Sequence, residues 1–279
     1  MLWKSAKSLI SYEIHLFFQF SWRDWSAAII PGCLFAFGAA KGLPYSTTIW
    51  NSLPMFLWIT AYTYAFNLFS QVNSVEEDRI NKPDRPLPSR IVTKAGTWRR
   101  CIVVWALFFS LAIIFPSVIL ETVTHAVMTL FLTTTRLGGT WFGKNCVSMS
   151  IMTWSLLSGS RKFITPLTPL AFRKVISLAF WVGLSAETQD FRDQKGDLAT
   201  GRQTLPIVFG DNVARYIVAF FNMPLAFAVV YWFGIGAYTL WLLAAGHVLV
   251  SYRIVVFRGV EADHQTYMVD REKNVWKVK

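Results

Sequence analysis

Eight apolar runs, at roughly 25–43, 49–69, 98–115, 117–135, 145–159, 170–187, 213–233 and 235–256, take up most of the 279 residues. About 20 apolar residues cross a bilayer as a helix. Backbone amides inside lipid have to be satisfied within the segment itself, which points to helices. The fold class read from this pattern is all-α: a polytopic transmembrane helical bundle of about eight spans, the fifth of them short. Composition agrees, with 54% hydrophobic and 15% charged residues, against about 45–50% and about 25% in soluble domains. Pro116 predicts a tight turn between the third and fourth spans, and Gly234-Ile235-Gly236 another between the seventh and eighth. Residues 1–24 mix Trp3, Phe17, Phe18, Phe20 and Trp22 with charges, as expected of an amphipathic segment on the membrane surface. Residues 25–256 form the membrane domain and 257–279 a C-terminal tail. Lys4, Lys7, Glu13, Arg23 and Asp24 interrupt the N-terminal apolar residues, unlike a signal peptide. The expected location is therefore an integral, multi-pass position in the endoplasmic reticulum or another internal membrane.

The formal net charge is +11, yet the basic residues gather in short connections between runs, as topology-setting charges do. This argues against nucleic acid as a partner. Seven lie between Arg79 and Arg100. Arg136 and Lys144 follow the fourth run, and Arg192, Lys195, Arg202 and Arg215 follow the sixth. These connections are expected on the cytoplasmic side. Arg161, Lys162, Arg173 and Lys174 fall on the opposite side and break the pattern. Cys33, Cys101 and Cys146 lack metal-ligand spacing and read as small buried hydrophobes. His125 and His247 read as packing residues within apolar runs, and Glu121 as an interfacial acid.

Half of the sixteen acidic residues crowd into two stretches, one from Glu76 to Asp84 and one from Glu187 to Asp197. Aligned from Ser70 and Gln189, the stretches read S-Q-x-x-S-x-x-x-D and Q-D-x-x-D-x-x-x-D, and each continues through basic residues to a Leu-Pro. The echo suggests two pseudo-repeated four-helix halves around a central cavity. Asp190, Asp193 and Asp197 stand at i, i+3 and i+7, on one face of a continuing helix. Buried side by side without a counter-charge they would be costly, and a bound cation resolves the conflict. Oxygen ligands favour Mg²⁺, which commonly takes one or two carboxylates plus substrate phosphate oxygens. Ser74, Glu77 and Asp78 offer a second oxygen set. Arg79, Lys82, Arg85 and Arg202 can balance the charge of a diphosphate. The alternative reading is two solvated helix ends whose acids and bases pair locally.

These residues resemble the UbiA superfamily of intramembrane prenyltransferases, from about residue 25 to 269. NKPDRPLPSR and QDFRDQKGD…GRQTLP are its landmarks here. The second aspartate motif is intact. The first carries Gln71, Ser74, Glu77 and Asp78, similar to a variant in a fungal branch that includes membrane-bound terpene cyclases, and WFGKN (141–145) also resembles that branch. The chain departs from the pattern at Thr134-Thr135-Arg136, where relatives tend to read Y-N-E. It departs again beyond DHQTYMV, where the nine-span family implies a further span and a truncated or atypical tail is expected.

The resemblance implies a Mg²⁺-dependent enzyme acting on farnesyl or geranylgeranyl diphosphate in contact with membrane lipid. Glu77, Asp78, Asp190, Asp193 and Asp197 would be catalytic and, with Ser74, metal-binding. Arg79, Lys82, Arg85 and Arg202 would bind the diphosphate. Cyclisation to a terpene is the leading expectation. Prenyl transfer to an aromatic acceptor and an inactive membrane scaffold are the alternatives.

Overall fold

The computed structural model describes residues 2–232 and 240–268. The Gly234-Ile235-Gly236 turn and the tail beyond residue 268 lie outside the described residues. Within them the chain is helical and holds no β-strand, only an isolated bridge between Thr140 and Gln203. Two compact units form, one from residues 1–135 with 151–176 and the other from 136–150 with 177–279. The first unit thus takes in part of the sequence's second half and does not follow the repeat boundary.

The first unit holds α1 (Leu2–Ser21), α2 (Ile30–Phe37), α3 (Tyr45–Asn73), α4 (Val75–Asn81), α5 (Lys94–Ile114) and α6 (Ile119–Thr134), with nearly all of α7 (Ser150–Ile164) and the first half of α8 (Pro169–Ser185). Its central element is α3, which buries Met55, Trp58, Ile59, Tyr62, Leu68 and Val72. The face of α3 is also polar. Gln71 donates to the Phe20 carbonyl at 3.1 Å, Thr63 donates to the Ile59 carbonyl at 2.9 Å, and Asn67 is buried. A helix enclosed by protein can carry such groups, whereas one facing lipid cannot. Leu16 and Phe20 of α1 are buried in the core with Leu68 and Val72, so the amphipathic segment is built into the unit.

Inter-helix polar links tie α3 to its neighbours. Trp58 Nε1 donates to Thr122 Oγ1 at 2.9 Å and the Tyr62 hydroxyl to the Met152 carbonyl at 2.7 Å. His125 Nε2 donates to the Tyr62 carbonyl at 3.1 Å, with its ring stacked on that of Tyr62. Gly159 on α7 has no alternative, because a Cβ there would enter the Trp58 indole. Small residues permit such close approach between membrane helices. At the turn around Pro116, Glu121 is fully buried rather than interfacial, with Lys162 Nζ 2.7 Å from its Oε1. A buried carboxylate needs a cation, and the last turn of α7 supplies one.

The second unit opens with a 3₁₀ turn, Leu137–Gly139, and a π-helical segment, Phe142–Met149, and takes the second half of α8. A 3₁₀ turn, Ala186–Gln189, leads into α9 (Asp190–Ala199), followed by α10 (Leu205–Phe209), α11 (Asp211–Ile217), α12 (Met223–Trp232), α13 (Leu240–Val256) and α14 (Val260–Met268). Phe191, Leu205, Ala214, Val218, Met223 and Ile254 make its core. His247 is satisfied on both nitrogens, accepting from Trp181 Nε1 at 2.9 Å and donating to the Leu243 carbonyl at 2.8 Å. Part of the segment expected as tail is α14, which carries the buried Asp263. Arg215 donates to both Asp263 oxygens, at 2.8 and 2.9 Å, and also to Asp211 and to the Ile254 carbonyl.

Each of the eight apolar runs contains a helix. Among the described residues, four stretches are long and apolar enough to cross a membrane: Lys94–Ile114, Pro116–Thr134, Pro169–Ala199 and Asp211–Trp232, with Leu240–Val256 apolar but shorter. The polar face of α3 lowers its hydropathy.

Candidate active site

The first acidic cluster sits where α3 breaks. Ser74 leaves the helical conformation (φ −113°, ψ 28°) and caps α4, so it does not share one continuous helix with Glu77 and Asp78. Its hydroxyl donates to the Ser70 carbonyl at 2.9 Å and reaches Asp78 Oδ2 at 3.5 Å. Glu77 and Asp78 are both buried, Asp78 at 1% exposure. Arg85 Nη1 donates to both Asp78 oxygens, at 2.8 and 2.9 Å. Burial pushes the Asp78 carboxyl above its ordinary range, although Arg85 and Lys82 pull the other way. Arg79 turns outward and pairs with Glu76 on the exposed side of α4. Arg23, from the segment after α1, pairs with Asp84 and holds that carboxyl below its ordinary value despite partial burial.

The second cluster is a helix face. Asp190, Asp193 and Asp197 all lie on α9 at 0%, 3% and 0% exposure, as their spacing predicts. Lys144 Nζ pairs with Asp190 Oδ1, and Asn145 Nδ2 donates to Asp190 Oδ2 at 2.8 Å. Asp197 and Arg202 also lie within electrostatic reach of Lys144. Asp193 accepts from Arg192 Nε at 3.1 Å and from Gln189 Nε2 at 3.2 Å. Arg192 is steadied in turn by His264 at 3.1 Å and by the Tyr267 ring, both on α14. Glu187, one turn before Asp190, is fully buried.

Lys144 and Asn145 are the site residues that sequence reasoning missed. Charge counting placed Lys144 among the topology-setting residues. The signal that could have found it is a Lys-Asn pair inside WFGKN at the edge of an apolar run. The π-helical segment puts both side chains on Asp190, and such segments recur at functional sites. Gly143 is required there, since a Cβ would strike the Leu137 carbonyl. Trp141 N donates to the Gln203 carbonyl at 2.8 Å and Gln203 N to the Gly139 carbonyl at 3.0 Å, which fastens WFGKN to the GRQTLP stretch.

The donors of both clusters are oxygen atoms, the chemistry Mg²⁺ requires. Among the described residues no group of three acid, histidine or cysteine side chains is placed to hold a metal ion by itself. Within each unit, buried carboxylates lie beside cations.

The UbiA prenyltransferase family model matches residues 28–268. The chain belongs to the UbiA prenyltransferase family. It is 46% identical to the diterpene cyclase eriG of Hericium erinaceus, over 93% of this chain and 85% of that one. It is 43% identical to the polyprenyl transferase eriF of the same organism, over 93% and 91%. A solved UbiA homologue from Archaeoglobus fulgidus, bound to GPP and Mg²⁺, matches in fold with a TM-score of 0.65 at 12% identity, over 91% of this chain and 95% of that one. This UbiA chain is therefore a membrane enzyme of the prenyltransferase and terpene cyclase kind, and the scaffold alternative falls away.

Proposed function

We propose that this enzyme ionises a farnesyl or geranylgeranyl diphosphate and cyclises the resulting cation to a terpene hydrocarbon. The observation that carries this reading is the α9 face, three buried aspartates in an all-oxygen donor set. In the first unit Ser74, Glu77 and Asp78 would hold Mg²⁺, and in the second Asp190, Asp193 and Asp197 would do so. When bound, the ion supplies positive charge to the departing diphosphate. Lys82, Arg85 and Arg202 hold phosphate oxygens and stabilise the same charge, while Arg79, engaged with Glu76, has a lesser part. The allylic C–O bond breaks with both electrons leaving on the diphosphate. An apolar helical interior keeps water from the cation, ring attack by the chain's own double bonds follows, and loss of a proton ends the reaction.

Similarity to a diterpene cyclase supports cyclisation and favours geranylgeranyl diphosphate. Similarity to a polyprenyl transferase supports the second reading, transfer to an aromatic acceptor. Membranes holding the enzyme, incubated with Mg²⁺ and either diphosphate, with and without phenolic acids, separate the two. Cyclic hydrocarbon without acceptor is the expected product. Product only with acceptor establishes the second reading, and no diphosphate release under any condition refutes both. Chelation of Mg²⁺ is expected to stop release. An internal membrane such as the endoplasmic reticulum is the proposed location, checked by fractionation.

A further inference from the structure

Within the first unit, the ends of α2, α7 and α8 enclose a recess of about 270 Å³ that the catalytic reading leaves unused. Its lining includes Arg161, Lys174 and Thr168 beside the apolar Leu34, Phe35 and Leu170, and no acidic residue. Arg161 Nε is buried without a hydrogen bond, and neither Arg161 nor Lys174 forms a side-chain hydrogen bond or an ion pair among the described residues. The neighbouring Lys162, by contrast, is paired with Glu121 and donates to the Ser117 carbonyl at 3.1 Å. That contact also fixes the side of the membrane. Ser117 lies in the connection after α5, and α5 begins on the side of the first acidic cluster, so the recess opens on the opposite face. These are cations that break the positive-inside pattern, and positive charge left there unpaired is unfavourable unless an anion meets it.

We propose that this recess binds the phosphate of an anionic phospholipid in the leaflet opposite the first acidic cluster. Arg161 and Lys174 make charge-assisted hydrogen bonds to the phosphate oxygens, the Thr168 hydroxyl adds a donor, and Leu34, Phe35 and Leu170 receive the first part of an acyl chain. The volume suits a headgroup, being just below the range of roughly 300–1,000 Å³ for small-ligand sites. Basic recesses between membrane helices recognise anionic headgroups in this way. The site stands apart from the carboxylates and does not depend on which reaction they perform.

The test is native mass spectrometry of the detergent-purified enzyme titrated with phosphatidylglycerol, phosphatidylcholine or inorganic phosphate. One phosphatidylglycerol adduct is expected to persist on the unaltered protein and to fall at least fivefold in the Arg161→Gln, Lys174→Gln double variant. The Arg161→Lys, Lys174→Arg variant should keep it, as should Arg173→Gln, which removes an exposed charge outside the recess. Thermal unfolding run alongside should show a phosphatidylglycerol-dependent rise in the unaltered protein that the double variant lacks. The proposal is overturned if the double variant keeps the adduct, if phosphatidylcholine binds equally, if Arg173→Gln loses it as well, or if inorganic phosphate alone binds. Should the double variant fold poorly, loss of the adduct in both single variants supports the proposal, and its retention in both refutes it.

Discussion

The two acidic clusters are near-echoes in sequence and opposites in construction. In the first unit the helix breaks at Ser74. Of the four acids there, Glu77 and Asp78 are buried, while Glu76 and Asp84 pair with arginines at the surface. In the second unit the helix continues, and all three aspartates turn inward against Lys144, Asn145, Gln189 and Arg192. A shared spacing therefore does not imply a shared environment. The second cluster is set rigidly by residues that hold it from two directions, the π-helical segment and α14. In the first, Arg85 holds both Asp78 oxygens, with Lys82 nearby, at the break where Ser74 ends α3.

The largest expected contrast is in turnover. Asp193→Asn should lower diphosphate release by about 10²–10³-fold or more, the scale of losing one charge-stabilising group, while circular dichroism shows intact helices. Unchanged release from folded protein would remove the second cluster from the chemistry.

Next in size is stability. Lys144→Met leaves Asp190 buried without its cation and should cost about 3–5 kcal/mol, read as a lowered unfolding temperature in detergent. Arg85→Gln should cost less, because Lys82 still acts on Asp78 and glutamine keeps a donor where methionine has none. Equal losses would erase the distinction between a rigid and a loosely held cluster.

Smaller again is Gly143→Ala, whose methyl group meets the Leu137 carbonyl and should cost about 1–3 kcal/mol as overpacking, with loss of activity through displacement of Lys144 and Asn145. Arg79→Gln, by contrast, removes an exposed pair worth at most about 1 kcal/mol and should leave turnover within about twofold. A large loss of activity there would bring Arg79 into the diphosphate site.

The smallest effect concerns pH. The Asp84 carboxyl lies below its ordinary value of 3.8 because of Arg23. Its contribution to folding is thus complete above that value and fades as pH falls through the native one. Asp84→Asn should lower the unfolding temperature slightly at neutral pH, and the difference from the unaltered protein should close as pH falls through the native value, flattening the acid limb.

Much of the molecule was legible in the sequence. The apolar runs located the helices, Pro116 located a turn, and the i, i+3, i+7 spacing placed the three aspartates on one helix face. What stayed hidden depended on contacts between residues far apart in the chain. Lys144 looked like a topology charge because nothing local shows that it reaches Asp190, 46 residues on. Glu121 looked interfacial because its partner, Lys162, sits on another helix. Ser74 matched the aspartate spacing, yet spacing does not reveal that its hydroxyl turns back to Ser70 and ends a helix. The polar face of α3 passed as part of an apolar run, since average hydropathy does not tell a protein-facing side from a lipid-facing one.

Arg215 carries a consequence for how the second unit is made. Its full set of acceptors includes Asp263, 48 residues further along. At the roughly 5–20 residues per second of synthesis, the guanidinium must wait some seconds beside Asp211, joined later by the Ile254 carbonyl, before α14 arrives. During that interval Arg192 also lacks His264 and Tyr267. The aspartate helix is therefore completed from downstream, and a nascent chain stalled before Val260 would have its carboxylates in place but their support unfinished.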